Sequence, residues 1–387
     1  MARTQKKRKI LYYSGTSTHP FFIEEFKNMP PEIAFIPSNP KFFSNDTSTT
    51  RHSPTMKFSR FFEMLRDILL KLVLWIGIPK VSFVKTDADL IYSSGYLIFR
   101  KKYIVTFEDA SVFFYHKIHR WNFFLTKFFV RVLLESKNCL QIIPWTNAAK
   151  KSLISIFGNN RKILGKTQVI YPSIVQKSRH FKRGFPKNIL FIGHEFLLKG
   201  GYETFLAFKS LNPNAILHFV SLKIPKSIER EMRAISKVKI YKNLTNQEIQ
   251  KLYQQADLYV MPTHLDTLGF TFFEAMSYGI PCIATINFSS SELIDNNEDG
   301  YLIPNYCSLF DERYLHCYED FSKLNMQLLN PPQEFINNLA EKMGLLLTNE
   351  DLREEFGKKA YEKVKSGKIS VKRKQDIIRE LMGRINT

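Results

Sequence analysis

Two segments of this 387-residue chain begin in the same way. "KKRKILYYSG" and "FPKNILFIGH" each pass from polar residues into a short apolar run that ends at a glycine, and a helix-like stretch follows. A strand, a glycine turn and a helix are how a doubly wound parallel sheet starts. The second start falls near residue 187, halfway along, so the chain is expected to hold two α/β domains, each able to bury its own core. The basic stretch "SRHFKRGFP" between them reads as a linker. The expected division is 1–183, 184–365 and a final segment, 366–387.

Short apolar runs bounded by turn residues predict strands at 9–13, 33–36, 89–92, 103–107, 140–143 and 168–171 in the first half. In the second half they predict strands at 188–192, 215–220, 238–241, 257–261, 281–285 and 301–303. Helical patterns such as "GYETFLAFKSL", "TNQEIQKLYQQA" and "GFTFFEAMSYG" alternate with them. That alternation implies parallel sheets in both halves.

Charge is distributed unevenly. The formal net charge is +20, and residues 1–183 hold 31 Lys and Arg against 11 Asp and Glu, while the remainder balances at 25 against 25. A basic domain beside a neutral one suits an anionic partner such as a membrane surface or an acidic polymer. Two stretches of the basic half read as amphipathic helices. In "RFFEMLRDILLKLVLWIG", Arg60, Glu63, Asp67 and Lys71 fall opposite Phe61, Leu65, Ile68, Leu72 and Ile76. In "FYHKIHRWNFFLTKFFVRVLLESKN", Lys117, Arg120, Lys127 and Arg131 lie beside Trp121, Phe124 and Phe128, with Glu135 the one acid. Such helices ordinarily cover a sheet, and this basic and aromatic composition also suits a lipid interface.

The apolar part of "MARTQKKRKILYYSG" is too short for the core of a signal peptide. The strongest apolar run, 68–78, contains Lys71 and falls short of the ~20 residues that span a bilayer. Cys139, Cys282, Cys307 and Cys317 are scattered without metal or disulfide spacing, which suits a reducing compartment. The expected location is cytoplasmic, peripheral to the inner face of the cell membrane.

The residues that carry chemistry cluster in the second half. "DLYVMPT" reads as a strand, "HLDTLG" as a loop and "FTFFEAMSYG" as a helix closed by Gly279. A site there lies beyond the carboxyl end of a parallel strand, where open α/β sheets take ligands. A helix opening at Gly269, Phe270 and Thr271 offers backbone N–H groups to a phosphate, and Gly269 permits close approach. Asp266 precedes that helix and Glu274 lies on its second turn; a carboxylate accepts two hydrogen bonds from a vicinal diol. In "FIGHEFLLKGGYETFLAF", Lys199 and Gly200 open a second helix and bring an ammonium to the same phosphate position. A diphosphate between diol-reading acids describes a nucleotide-sugar.

Residues 187–304 resemble the donor-binding domain of family 4 retaining glycosyltransferases with the GT-B fold. "FIGHEFLLKGG", "LTNQEIQKLYQQADLYVMPT", "DTLGFTFFEAMSYGIPCIAT" and "SELIDNNEDGYLI" carry the resemblance in order and spacing. The first half is similar through "KILYYSG", "ADLIYSSGY", "YIVTFED", "IIPWTNAAKKSL" and "VIYPSI", and "ISVKRKQDIIRELMGRI" looks like a last helix that crosses back. The resemblance implies two facing Rossmann-like domains with a cleft between them. It implies that Glu274 holds the ribose hydroxyls, that Asp266 faces the transferred sugar, and that Gly269, Phe270 and Thr271 serve sugar and phosphate. Lys199 would neutralise the departing diphosphate, with Gly200, Gly15 and His194 on the donor side and Glu108 and Asp109 on the sugar and acceptor side. Several residues depart from the family pattern. Asp266 replaces the usual Glu, His194 replaces a common Arg, Glu108 and Asp109 stand where many members have a histidine, and Ser14-Gly15-Thr16 replaces a double-glycine loop.

The function expected is transfer of a sugar from a nucleotide-diphosphate sugar to a glycan or lipid-linked acceptor in cell-surface polysaccharide or glycolipid synthesis. No cofactor is expected, and no metal, since no His or Cys cluster has ligand spacing and Asp87-x-Asp89 sits in a polar loop before a strand. A sugar-nucleotide epimerase would share the architecture but needs acids and histidines placed as a proton shuttle. A non-enzymatic basic membrane- or nucleic-acid-binding protein would account for the charge and leave the acid pair unexplained. Nucleic acid is not expected as a partner, because no aromatic platform falls on strand positions.

Overall fold

The computed structural model describes residues 8–13, 27–31, 33–38, 76–118, 123–178, 187–317 and 321–386. The chain divides into two compact units, 1–171 with 313–315 and 375–387, and 172–312 with 316–374.

Unit 1 is built on a five-stranded parallel sheet of β1 (Arg8–Tyr13), β2 (Ile33–Pro37), β4 (Leu90–Ser94), β6 (Tyr103–Phe107) and β7 (Cys139–Pro144), in the order β2-β1-β4-β6-β7. The five residues of β6, "YIVTF", are all buried. A parallel strand covered on both faces needs such a continuous apolar run rather than an alternating one. Two short strands, β3 (Val81–Ser82) and β5 (Leu97–Ile98), pair separately. Neither is anticipated from the sequence, because two-residue strands carry no periodicity. Among the described residues before the linker, unit 1 has the α-helices α1 (Phe123–Glu135), α2 (Asn147–Phe157) and α3 (Arg161–Leu164). The start of α2 is fixed by Thr146, whose hydroxyl accepts the Ala149 N–H at 3.0 Å. Its inner face of Ala148, Ala149, Leu153 and Ile156 is buried.

Unit 2 holds a six-stranded parallel sheet in the order β10-β9-β8-β11-β12-β13. Its strands are β8 (Lys187–Ile192), β9 (Ala215–Val220), β10 (Val238–Tyr241), β11 (Leu258–Met261), β12 (Cys282–Thr285) and β13 (Gly300–Ile303). Between them run α4 (Gly201–Leu211), α5 (Lys226–Arg233), α6 (Asn246–Gln255), α7 (Phe270–Ser277) and α8 (Ser290–Leu293), and after β13 come α9 (Phe321–Leu329), α10 (Gln333–Thr348) and α11 (Glu350–Ser366). A reciprocal capping box of Thr245 and Glu248 starts α6. All four residues of β11 and of β12 are buried. Buried Lys187 pairs with Glu350 at 2.7 Å, which ties the start of β8 to the start of α11. The last helix, α12 (Val371–Asn386), enters unit 1 from residue 375. There Gln375 Nε2 donates to the Asn28 carbonyl (2.6 Å) and Arg384 to Gln168 Oε1 (3.0 Å).

Three sequence expectations are corrected. The units part between Tyr171 and Pro172, before the basic linker, because buried Ile174 already donates its N–H to Ile369 and Lys177 its N–H to Ser277 in unit 2. The return to unit 1 comes at 375 rather than 366, since α11 runs through Ser366 within unit 2. Residues 168–171 form no strand. Gln168 and Ile170 donate to β7 carbonyls at 3.0 and 3.2 Å, but Pro144 has no N–H to return, and Pro172 follows. The amphipathic stretch 60–75 lies outside the described residues. Of the second amphipathic stretch, Lys117 precedes the helix in a turn, and Arg120 and Trp121 are not described.

Candidate functional site

In unit 2 the chain lays down β8, β9 and β10 in one direction. It then returns to the other flank of β8 with β11 and continues through β12 to β13. The boundary between β8 and β11 is therefore the topological switch point, and the loops that leave their carboxyl ends diverge there into a crevice. Those two loops, 193–200 and 262–269, hold most of the expected site.

Several bonds zip the loops together. His264 donates its N–H to the Leu198 carbonyl at 2.9 Å, and Lys199 Nζ donates to the Leu265 carbonyl at 2.8 Å. Gly200 has φ +77° and lies so close to Pro262 that any Cβ would overlap the Pro262 carbonyl oxygen. Only glycine satisfies both demands. The approach sets α4 beside β11, with Gly200 as its first cap.

Within this frame Lys199 Nζ lies 2.6 Å from Asp266 Oδ2. Both side chains are about one-fifth to one-quarter exposed, at 24% and 19%. The other carboxylate oxygen, Oδ1, accepts the N–H of Gly269 at 2.8 Å and of Leu268 at 3.3 Å. Asp266 thus fixes the turn into α7 and holds the ammonium at the mouth of that helix. Gly269 takes φ +73°, and a Cβ there would overlap the ring of Phe272. Phe270 and Thr271 follow as the first helical residues, half-buried, and Thr271 Oγ1 reaches Met261 Sδ at 3.7 Å.

Glu274 sits further along α7, half-buried, away from the lysine pair. Its Oε2 accepts the hydroxyl of Tyr253 at 2.8 Å. Tyr253 comes from α6, is buried, and stacks on Tyr278 with ring centroids 5.7 Å apart at 8°. Burial first, then the Glu274 charge, push its phenol far above the usual tyrosine range, so it remains a donor. This support is missed at the sequence level. Its one signal is a lone aromatic in the mostly polar helix "NQEIQKLYQQ". A second constellation is also missed: His264, Glu203, Asn305 and Tyr306, a buried polar network under the two loops.

The remaining expected residues are placed as follows. His194 is exposed on the loop after β8. Gly15 lies outside the described residues. In unit 1, Asp109 is buried and caps the short 3-10 turn Ala110–Phe114, its Oδ1 accepting the Ser111 N–H at 2.8 Å and also the Ser111 hydroxyl. That carboxylate points into the turn. Glu108 is half-buried and acts with Asp109 on Lys80, whose pKa burial lowers and the two acids raise. Asp87 pairs with the Lys9 ammonium at 3.6 Å and Asp89 Oδ2 accepts the Lys9 N–H at 3.1 Å, so a lysine engages both acids of "DAD".

Residues 175–311 match the family described as glycosyl transferases group 1, so unit 2 carries a domain of that family. Solved structures agree on the fold. Sucrose-phosphate synthase of Thermosynechococcus elongatus superposes with TM-score 0.60 at 15% identity, over 98% of this chain and 99% of that one. A glycosyltransferase of Rickettsia africae gives TM-score 0.57 at 16% identity, over 98% and 99%. TarM of S. aureus, solved in complex with fondaparinux, α-GlcNAc-glycerol and UDP, gives TM-score 0.52 at 17% identity, over 76% of this chain. The chain spans about half the length of TarM, 55%. Comparison with curated proteins returns no match. The fold is GT-B.

Proposed function

We propose that the protein is a retaining glycosyltransferase that moves a sugar from a nucleoside-diphosphate sugar to a glycan or lipid-linked acceptor. The observation that carries this reading is the Lys199–Asp266 pair at the opening of α7, beyond the β8/β11 switch point. A diphosphate entering there meets an ammonium and the first amides of a helix, both suited to the charge that develops as the sugar–phosphate bond breaks. It competes with Asp266 for Lys199. The displaced carboxylate stays tethered by the amides of Leu268 and Gly269 and turns its free oxygen to the hydroxyls of the sugar. Glu274, oriented by Tyr253, takes the ribose diol. Lys199 and the helix end supply the electrophilic help, and the reading assigns no step to a metal. The TarM complex with UDP supports a uridine nucleotide as the first to test.

The acceptor side is assigned to the basic half of the chain. On α1, Phe124 and Phe128 are 81% and 60% exposed beside Lys127 and Arg131, which supports work at an anionic membrane surface in cell-surface glycan synthesis. Among the described residues no helix is long and apolar enough to cross a membrane.

Thermal shift against UDP, GDP, ADP and CMP tests the donor reading, because a ligand that binds only the folded state raises its apparent stability. One diphosphate should raise the midpoint, and Glu274→Gln should erase the rise. No shift with any of the four sinks the reading.

A further inference from the structure

Beneath the two site loops lies a polar group that the proposed transfer does not use. Glu203, in the first turn of α4, and His264, in the loop after β11, both have side chains 0% exposed. His264 Nε2 lies 2.8 Å from Glu203 Oε1, and Tyr306 donates its hydroxyl to the same oxygen at 2.5 Å. On its other edge His264 Nδ1 lies 2.8 Å from Asn305 Oδ1.

Hydrogen-bond accounting fixes the protons. Asn305 Oδ1 also accepts the backbone N–H of Cys307 at 3.0 Å. Exchanging the oxygen and nitrogen of that amide would set an NH2 group against an N–H, so the oxygen faces His264. An oxygen acceptor requires His264 Nδ1 to carry hydrogen. The contact between Nε2 and Oε1 requires a second hydrogen, on one atom or the other. A histidine with only Nδ1–H beside an ionised carboxylate would set a lone pair against a negative charge in a dry pocket.

We infer that His264 keeps one hydrogen on Nδ1 and shares a second between Nε2 and Glu203 Oε1, and that this hydrogen-bridged pair is the positioning element that clamps the Lys199 loop to the Asp266 loop. The placement gives it leverage. Glu203 lies two residues past Gly201, and His264 lies two residues before Asp266. His264 also spends its own backbone N–H on Leu198. Loss of the bridging proton leaves repulsion where there was a bond and parts the loops that hold Lys199 against Asp266.

Among the described residues, Tyr306 and Cys307 are the titratable neighbours on which the Glu203 charge acts. Burial, then Glu203, hold the Tyr306 phenol well above its usual range, and burial likewise raises Cys307. From α10 the ring of Phe335 approaches, at 6.3 Å from the imidazole. The Lys199–Asp266 ion pair joins the same two loops.

This inference rests on the donor-site reading for its consequence but not for its geometry, and two measurements separate them. The first uses wild-type protein labelled with 15N at histidine, without any nucleotide. His264 should show a slowly exchanging Nδ1–H near neutral pH. A bare Nδ1 with hydrogen on Nε2 alone would overturn the inference whatever the protein binds. The second is UDP affinity across two substitutions. Glu203→Gln, whose amide still reaches His264 Nε2, should stay within about threefold of wild type, and Glu203→Leu, which removes the bridge, should weaken UDP about tenfold or more. Equal affinity of Glu203→Leu and wild type would overturn the clamp. Absence of UDP binding at neutral pH in the wild type would instead sink the donor-site reading and leave the imidazole spectrum to decide the pair.

Discussion

The carboxylate of Glu274 accepts the hydroxyl of Tyr253 at 2.8 Å, and the tyrosine is locked in turn by stacking on Tyr278. A buried donor that stays protonated keeps that carboxylate oxygen in place and fixes how the group is presented to a ligand. Glu274→Gln should therefore lower transfer by roughly a hundredfold or more, because an amide cannot accept at both positions and a site built for a diol is left mismatched. Tyr253→Phe removes only the orientation and should cost about tenfold, expressed in KM for the donor. Steady-state kinetics with unchanged thermal midpoints check both. Near-wild-type kcat/KM for the glutamine variant would remove Glu274 from the site.

Lys199 offers a sharper contrast. Lys199→Met deletes an ammonium that should matter most as the diphosphate departs. A fall in kcat of roughly 10²–10³ is expected, with a smaller change in KM. If the lysine and helix amides supply the electrophile, chelation with EDTA should leave wild-type turnover unchanged. A metal-dependent residual activity in either protein would reassign that role.

Gly200 was legible only as part of "KGG", yet its demand is steric and testable. A Cβ there would overlap the Pro262 carbonyl, at a φ of +77° that other residues seldom adopt. Gly200→Ala should cost ~3 kcal/mol of stability from clash and backbone strain together. Gly158→Ala is the control. It also has positive φ, but nothing lies within 4 Å of its Cβ position, so it should cost less, ~1 kcal/mol. Urea midpoints compare the two, and equal costs would show that strain alone matters.

The doubly wound pattern of each half was readable because strands such as β6 and β11 are continuous apolar runs, and a parallel sheet permits little else. The proximity of Lys199, Asp266 and Gly269 was readable because glycines and charges at a strand's carboxyl end have few structural uses. Asp109 was not, since the same carboxylate that suits a sugar also suits a 3-10 cap, and only packing decides between them. Tyr253, His264 and Glu203 were hidden for a related reason. Each lies far in sequence from the residue it supports, and no local period marks a contact of that separation. The unit division falls earlier than the charged linker suggests, since Ile174 and Lys177, which precede it, already bond Ile369 and Ser277 of unit 2.

The outer face of α1 carries the membrane proposal. Thr126, Val130 and Leu134 are buried, while Phe124, Leu125, Phe128, Phe129 and Val132 are exposed with Arg131 among them. Sedimentation with vesicles containing phosphatidylglycerol should pull down the protein, less so with phosphatidylcholine alone, and binding should weaken as salt rises. Phe124→Glu with Phe128→Glu should abolish it. Equal binding of the double variant, or salt-insensitive binding to both vesicles, would remove α1 as the docking face.

His218 makes unit 2 sensitive to acid in a direction that can be worked out. Its Nδ1 meets the Tyr241 hydroxyl and its Nε2 meets Asn188 Oδ1, both at 3.0 Å. Burial first, and Lys239 second, depress its pKa below the ordinary 6.5. Between the depressed value and 6.5 the unfolded chain binds more protons than the folded one, so stability rises with pH through that window. Its contribution is fully present above about 6.5 and is lost as pH falls through the folded value. The wild type should thus lose urea resistance between pH 7.5 and 5 more steeply than His218→Gln, which is weaker throughout but lacks this titration. The difference between the two slopes isolates His218 from every other acid-sensitive group, and parallel slopes would show that the imidazole is not held neutral by the fold.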